Sequence, residues 1–91
     1  MSLSASVQTF GNTDTTIYTN TSTVLVSVEL GVLFGGPIFT SIHHNDGTTS
    51  YGPILIAGTT LQAQNIGLGA GESLHVICPN GYGMVGLVTG P

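Results

Sequence analysis

The side chains that could carry chemistry are few, and the densest group of them is a pair of adjacent histidines with an aspartate. His43-His44 is followed by Asp46, and the third histidine, His75, lies two residues after Ser73. Imidazole and carboxylate groups are ligands of divalent metals, and a serine beside a histidine is a minimal hydrolase pair. Neighbours on a strand face opposite sides, so only His44 and Asp46 are expected to converge. Two ligands do not make a metal site, and His75 would have to arrive from another strand or subunit, so the sequence predicts no metal and no cofactor. His43, His44 and Asp46 are instead assigned to a candidate interaction loop.

Two further patterns are weak indicators of catalysis. Asp14-Thr15-Thr16 resembles the Asp-Thr-Gly of single-domain aspartic proteases, in which two carboxylates share one proton. Thr16 stands where that motif needs glycine, and no apolar strand precedes Asp14, so a turn aspartate is predicted. Ser73 lacks the Gly-x-Ser-x-Gly elbow of the α/β-hydrolases. No set of residues supplies a nucleophile, a base and an anion stabiliser together, so the chain is predicted to have no catalytic residues and not to be an enzyme.

The charge inventory excludes several classes of partner. The 91 residues include no Lys or Arg and only four acidic residues, and charged residues make up 4% of the chain, against about 25% in an ordinary soluble domain. A chain without cationic side chains cannot neutralise phosphates, so neither nucleic acid nor an anionic membrane surface is an expected partner. Cys78 is the single cysteine, which excludes an internal disulfide, and its apolar neighbours predict a small buried side chain.

The elements that must position these residues are predicted to be β-strands. Apolar residues are 41% of the chain and mean hydropathy is +0.42, which argues against disorder. β-Branched and aromatic residues outnumber the good helix formers, which are scattered among 14 glycines. Short runs separated by turn residues predict eight strands: Leu3–Phe10, Ile17–Thr19, Thr23–Phe34, Ile38–His44, Tyr51–Ile56, Thr59–Gln64, Ser73–Cys78 and Tyr82–Val88. The expectation is an all-β fold, a single antiparallel β-sandwich domain over residues 1–91, jelly-roll-like, although a small barrel has a similar sequence pattern.

Details of the strands and turns sharpen this expectation. Val24, Val26 and Val28 alternate along the longest apolar run and are predicted to face the core. Asn45-Asp46-Gly47 is a tight-turn signal, and Pro53 indicates a strand start or an edge strand. Glycines 67, 69 and 71 predict a loop.

Several segments together resemble small β-sandwich virion proteins of tailed bacteriophages. The segments are Ile17-Tyr18-Thr19-Asn20-Thr21, Val24–Val28, Leu61–Gln64 and Leu68-Gly69-Ala70-Gly71-Glu72-Ser73-Leu74, followed by a closing strand. The resemblance spans Ile17 to Val88. It implies a non-enzymatic protein located in the virion, either a capsid decoration protein or a fibre or knob component, usually trimeric. Its partner would be a major capsid or tail protein.

The low charge independently predicts assembly. Open strand edges are normally guarded by lysine or by inward charges, and this chain has no lysine. A closed ring hides the same surface on every copy, so a homo-oligomer is expected, and the resemblance favours a trimer. The leading hypothesis is a trimeric capsid decoration protein that stabilises the particle. The alternative is a carbohydrate- or host-surface-binding module of the fibre-tip or adhesin kind, using loops such as His43–Thr49.

Overall fold

The structure is a computed structural model that covers residues 4–35, 37–56 and 63–90. Within these ranges the chain forms eight antiparallel strands, as the sequence predicts. The strands are β1 (Ser4–Phe10), β2 (Thr15–Thr19), β3 (Val26–Phe34), β4 (Ile38–His43), β5 (Thr49–Leu55), β6 (Ala63–Leu68), β7 (Ser73–Ile77) and β8 (Gly83–Gly90). The structure describes those three ranges of residues. Within them the chain forms no helix, and therefore none of the length and apolarity needed to cross a membrane.

The strands form two four-stranded sheets with a nested order of pairing. Sheet 1 has the order β1-β8-β3-β6, and sheet 2 has the order β2-β7-β4-β5. Strand β4 pairs with β5, β3 with β6, β2 with β7 and β1 with β8, as if one long hairpin had been rolled into two layers. This is the connectivity of a jelly roll, so the expected all-β sandwich is confirmed. Strands β1, β6, β2 and β5 are the edges.

The core lies between the sheets and follows the alternation of the strands. Along β3, Val26, Val28, Leu30 and Val32 are buried while the residues between them are more exposed. The opposite sheet contributes residues such as Leu74, which is fully buried. Among the residues whose burial the structure describes, the buried apolar side chains are Phe10, Ile17, Val26, Val28, Leu30, Val32, Ile38, Leu55, Ile66, Leu68, Leu74, Val76, Cys78, Val85 and Leu87. Cys78 is therefore the small buried side chain that the sequence predicts.

The prediction that Val24 faces the core is wrong, because β3 begins two residues later and Val24 is 58% exposed. The reason is Asn20, which is fully buried. Its Nδ2 donates to the carbonyl oxygens of Val24 at 2.8 Å and Leu68 at 2.9 Å. Its Oδ1 accepts from the N–H and the hydroxyl of Ser22 at 3.0 and 2.6 Å. The segment before β3 is therefore held as a loop, although its residues have high β-propensity.

The turn predictions are largely confirmed. The Asn45-Asp46-Gly47 turn joins β4 to β5, with the His44 N–H donating to Thr48 O at 2.9 Å, and Gly47 has a φ of +88° that suits glycine. Pro53 lies in β5, which is an edge strand as proposed for that proline.

Two boundaries differ from the prediction on either side of β6. Of the strand predicted at Thr59–Gln64, only the last two residues lie in the described ranges, and the observed strand continues to Leu68. The loop predicted at Gly67–Gly71 is wrong at its first residue, since Gly67 is in β6 and pairs with Ser27. The Leu25 side chain lies over Gly67, 3.7 Å from where a Cβ would stand, which compensates for the missing side chain in the strand.

Candidate functional site

The outer face of sheet 2 brings together Asp14, His43 and His75, here called the outer histidine cluster. His75 on β7 lies opposite Ser41 on β4, and His43 lies two residues further along the same face of β4. This places the two histidines as diagonal neighbours across an antiparallel pair. Asp14 stands just before β2, the strand on the other side of β7.

The geometry of the outer histidine cluster is close-packed. The imidazole rings of His43 and His75 are stacked, with centroids 3.5 Å apart and planes 6° from parallel. Asp14 Oδ2 lies 2.7 Å from His75 Nδ1 and 4.0 Å from His43 Nε2. The His75 side chain is 13% exposed, whereas those of His43 and Asp14 are 41% and 51% exposed. Within the cluster, His75 is therefore nearly buried, whereas His43 and Asp14 are partly exposed to solvent.

Two hydroxyl groups contact the far side of the His75 ring. Ser73 Oγ lies 3.1 Å from Nε2 and Thr16 Oγ1 lies 3.2 Å from the same atom. We assign the Nδ1 proton to the hydrogen bond with Asp14, so that Nε2 accepts from the hydroxyls. The two ring nitrogens of His75 thus have protein partners on both sides.

The contact between Asp14, His75 and Ser73 has the connectivity of a hydrolase triad, with the carboxylate on Nδ1 and the serine hydroxyl on Nε2. An oxyanion hole also needs free N–H groups beside the serine. Strand β7 is interior, and Ser73 pairs with Thr19 on one side and His43 on the other. The N–H groups of an interior strand are used by the sheet, so those of β7 beside Ser73 are not free to act as oxyanion donors.

A second group of polar residues, here called the turn hollow, lies at the β4–β5 turn. It is lined by His44, Asn45, Asp46, Thr48 and Glu72. His44 Nδ1 hydrogen bonds Glu72 Oε2, and its Nε2 lies 2.7 Å from Ser50 Oγ.

Hydrogen bonding shifts the acidity of both carboxyl groups in the turn hollow. The bond with His44 lowers the pKa of Glu72, helped by the Gly69 N–H, which donates to Oε1 at 2.7 Å. The pKa of Asp46 is lowered because its Oδ1 accepts from the Thr48 hydroxyl at 2.6 Å and from the Thr48 N–H at 2.9 Å. Each of the two carboxylates is therefore stabilised by its own local donors.

The structure separates residues that the sequence seemed to group. His44 and Asp46 line the same hollow, but the carboxylate bound by His44 is that of Glu72 and not that of Asp46. His44 and Asp46 therefore share one hollow, as their spacing predicts, whereas the histidine that meets His75 is His43. The contact of His43 with His75 was not predicted, because His75 comes from a neighbouring strand whose position the spacing along the chain does not fix.

Two participants were not singled out by the sequence for these roles. Asp14 was predicted to be a turn residue, whereas it binds His75 across 61 positions of sequence separation. Glu72 carries the only carboxylate that contacts His44 in the described residues. Its position after Gly71, which has a φ of +80°, marks a tight turn, but that signal says nothing about which histidine the turn faces.

No protein family model, curated protein sequence or solved structure matches this chain, so its function is inferred from the side chains described above.

Proposed function

We propose that the protein is a non-enzymatic structural component of a bacteriophage virion that assembles as a homotrimer and stabilises the capsid as a decoration protein. The observation that carries this proposal is that, within the described residues, the edge strands of the sandwich carry no charged side chain. The edge strands β1, β2, β5 and β6 contain no Asp, Glu, Lys or Arg. Such edges are open to pairing with another chain unless a neighbouring subunit covers them.

An exposed apolar surface on sheet 1, here called the sheet 1 patch, supports assembly through that sheet. Val7 is 59% exposed on the edge strand β1, and Leu33 is 48% exposed on β3. Between them lies Gly86 of β8, which pairs with Val7 and over which the Leu33 side chain packs. A bulge between Val32 and Phe34 allows Phe34 to face solvent beside Leu33.

The aromatic end of the sheet 1 patch extends this apolar surface. Phe34 is 57% exposed and Tyr82 is 50% exposed, and their ring centroids are 5.5 Å apart. Aromatic side chains are enriched in the buried cores of protein interfaces. A second copy of this chain covering the patch would remove these rings from water.

Two further arguments favour a virion protein, and both are analogies. Jelly rolls occur in viral capsid and lectin domains, although a fold alone does not determine function. The segments Ile17–Thr21 and Leu68–Leu74 resemble those of phage virion proteins. The missing oxyanion donors beside Ser73 favour a role without catalysis. The proposed partner is a major capsid or tail protein, contacted by the trimer.

The oligomeric state gives the first test. Light scattering of the purified protein should give about three times the monomer mass of 9.3 kDa. Val7→Lys should shift this mass toward the monomer, because it places a charge in the sheet 1 patch without touching the core. Phe39→Lys is the matched control, since Phe39 is 40% exposed on the interior strand β4 of sheet 2 and should leave the trimer intact. A wild-type monomer at high concentration, or dissociation by Phe39→Lys alone, would refute the proposed assembly.

The location in the particle needs a separate test. Antibodies raised against the purified protein should label intact virions in a regular pattern over the capsid. Labelling confined to the tail would reject the decoration role and retain the virion assignment. If the antibodies detect the protein in infected cells but do not label virions, both the decoration role and the virion assignment are rejected.

A second candidate function, binding of a carbohydrate or host surface, is favoured by the turn hollow. Asn45, Asp46 and Glu72 offer amide and carboxylate groups beside one another at an exposed turn. Saccharide hydroxyls bind such groups, although no tryptophan is present to stack on a sugar ring. Binding on a glycan array that is lost in Asp46→Asn would support this function, and an array without specific binding would exclude it for the glycans displayed.

A further inference from the structure

The outer histidine cluster lies on sheet 2, away from the sheet 1 patch, and the proposed assembly gives it no role. It holds two of the three histidines of the chain and one of the four acidic residues. Because the chain has no Lys or Arg, no other cationic side chain exists to pair with Asp14. Two imidazoles and a carboxylate that converge from three segments form a recognisable ligand set. We propose that Asp14, His43 and His75 bind a divalent transition-metal ion, with Zn²⁺ as the probe ion.

The distances between the ligand atoms are compatible with one shared ion. One ligand atom from each of Asp14, His43 and His75 lies within 4.8 Å of the other two. Ligands at about 2.1 Å from a tetrahedral ion are about 3.4 Å apart, which lies between the 2.7 and 4.0 Å that separate Asp14 Oδ2 from the two imidazole nitrogens. The two rings are stacked with planes 6° from parallel, so their lone pairs do not meet at one point, and the His43 ring must turn out of the stack to bind the same ion as His75. The half-exposed side chains of Asp14 and His43 can move in this way, while His75 is held between its neighbours. Three protein ligands at the solvent boundary leave the remaining coordination positions to water.

The surroundings of His75 prepare it to bind through Nδ1. When Nδ1 becomes a ligand, the proton of the neutral ring moves to Nε2. Ser73 Oγ and Thr16 Oγ1, at 3.1 and 3.2 Å, are then placed to accept from Nε2–H. Such hydrogen bonds to the non-ligating nitrogen fix the tautomer and orientation of metal-binding histidines. The hydroxyls that would assist a hydrolase thus serve here as positioning groups.

The chemistry of the ligands selects the class of ion. Imidazole nitrogens suit Zn²⁺, Ni²⁺ and Cu²⁺, whereas Mg²⁺ and Ca²⁺ prefer sites built from oxygen ligands. A net charge of −4 favours the approach of any cation, so selectivity for transition metals is the informative measurement. Cu²⁺ should bind more tightly than Zn²⁺.

The His44–Glu72 pair provides a matched control within the same protein. This pair also joins an imidazole to a carboxylate, but it contains only one histidine. The Nε2 atom of that histidine, His44, contacts Ser50. Titration calorimetry with ZnCl₂ should therefore show one ion per chain for the wild type and for His44→Gln. His43→Gln, His75→Gln and Asp14→Asn should each weaken binding by about tenfold or more. Circular dichroism of every variant establishes that the β-sheet is retained.

Two further measurements separate a built site from weak surface binding. The electron paramagnetic resonance spectrum of the Cu²⁺ complex should show coupling to two nitrogens, reduced to one in His43→Gln. Ser73→Ala, which leaves all three ligands in place, should weaken Zn²⁺ binding by about tenfold through loss of a positioning hydroxyl. The proposal is overturned if the wild type binds no Zn²⁺, if Mg²⁺ binds equally well, or if His44→Gln weakens binding as much as His43→Gln.

Discussion

Asn20→Asp is the substitution that tests most directly how the loop before β3 is held. The replacement has nearly the same shape, and the retained oxygen can still accept both hydrogen bonds from Ser22. The lost NH₂ group, however, donates to Val24 O and Leu68 O. An oxygen in its place would face two carbonyl oxygens inside a fully buried site.

The expected loss of stability follows from these two bonds. The Leu68 carbonyl is buried, and leaving it unsatisfied costs about 1–3 kcal/mol, while the partly buried bond to Val24 contributes about 1 kcal/mol. The sum is about 2–4 kcal/mol before the additional cost of burying a carboxylate. A domain of 91 residues has a total stability of about 5–14 kcal/mol, so the variant should unfold at much lower urea concentration.

The effect of pH on this variant has a definite sign. Burial between carbonyl oxygens disfavours ionisation of the introduced carboxyl group, so its pKa in the folded state rises above its unfolded value of about 3.9. The variant is then most stable, relative to the wild type, below that unfolded value and loses stability as the pH rises above it. At pH 3.5 its protonated hydroxyl can donate to one of the two carbonyls, which restores roughly half of the loss.

Urea denaturation measures the free energy of unfolding of Asn20→Asp and of the wild type, with circular dichroism as one probe. Tyrosine fluorescence is the second probe, since the chain has three tyrosines and no tryptophan. Asn80→Asp is the control, because Asn80 is exposed at a turn and its replacement should change stability by no more than about 0.5 kcal/mol. A stability of Asn20→Asp within that margin at pH 7, or a penalty that grows on acidification, would refute this account of the Asn20 site.

Three further outcomes are expected from the same denaturation assay. Val26→Asp should cost several kcal/mol and leave little folded protein, because Val26 is 8% exposed in the core. Gly83→Ala should be destabilising, because its Cβ would lie 2.9 Å from the Phe10 ring, and Phe10→Leu should relieve part of that loss. Wild-type stability should be nearly constant from pH 7 to 9 and fall in acid. The hydrogen bond from His44 lowers the pKa of Glu72, so this carboxylate stabilises the fold above the unfolded value of 4.5 and ceases to do so as pH falls through the lower folded value. Glu72→Gln should therefore reduce the acid dependence, and an unchanged acid limb would contradict this assignment.

The sequence was sufficient for those parts of the fold that depend on local chemistry. Val26 and Val28 alternate with polar neighbours, and Asp46-Gly47 has the residue types of a tight turn, so both were predictable. Val24 was misassigned because its high β-propensity suggests a strand. In the structure, the buried side chain of Asn20 donates to the backbone carbonyl of Val24 and holds that residue in a loop.

The candidate site was less accessible to sequence reasoning, because its members come from different strands. His43 and His75 are 32 positions apart, and only the pairing of β4 with β7 makes them neighbours. Strand order in a sandwich depends on how the two sheets close over the core, which alternation within single strands does not specify. Asp14 lies 61 positions before His75, and its contact with that residue depends on a second pairing, that of β2 with β7.

The nested pairing of the strands has a consequence for the kinetics of folding. Strand β8 lies between β1 and β3, so sheet 1 cannot be completed until the last strand has left the ribosome. Only β4 and β5 form a hairpin with a short turn among the described strands, and every other pair must close a longer loop before any contact compensates for the lost chain entropy. Such a topology folds in milliseconds to seconds, slower than chains with local contacts. During synthesis the valine-rich β3 is therefore exposed without its central partner, and the cell must keep these chains apart until β8 arrives.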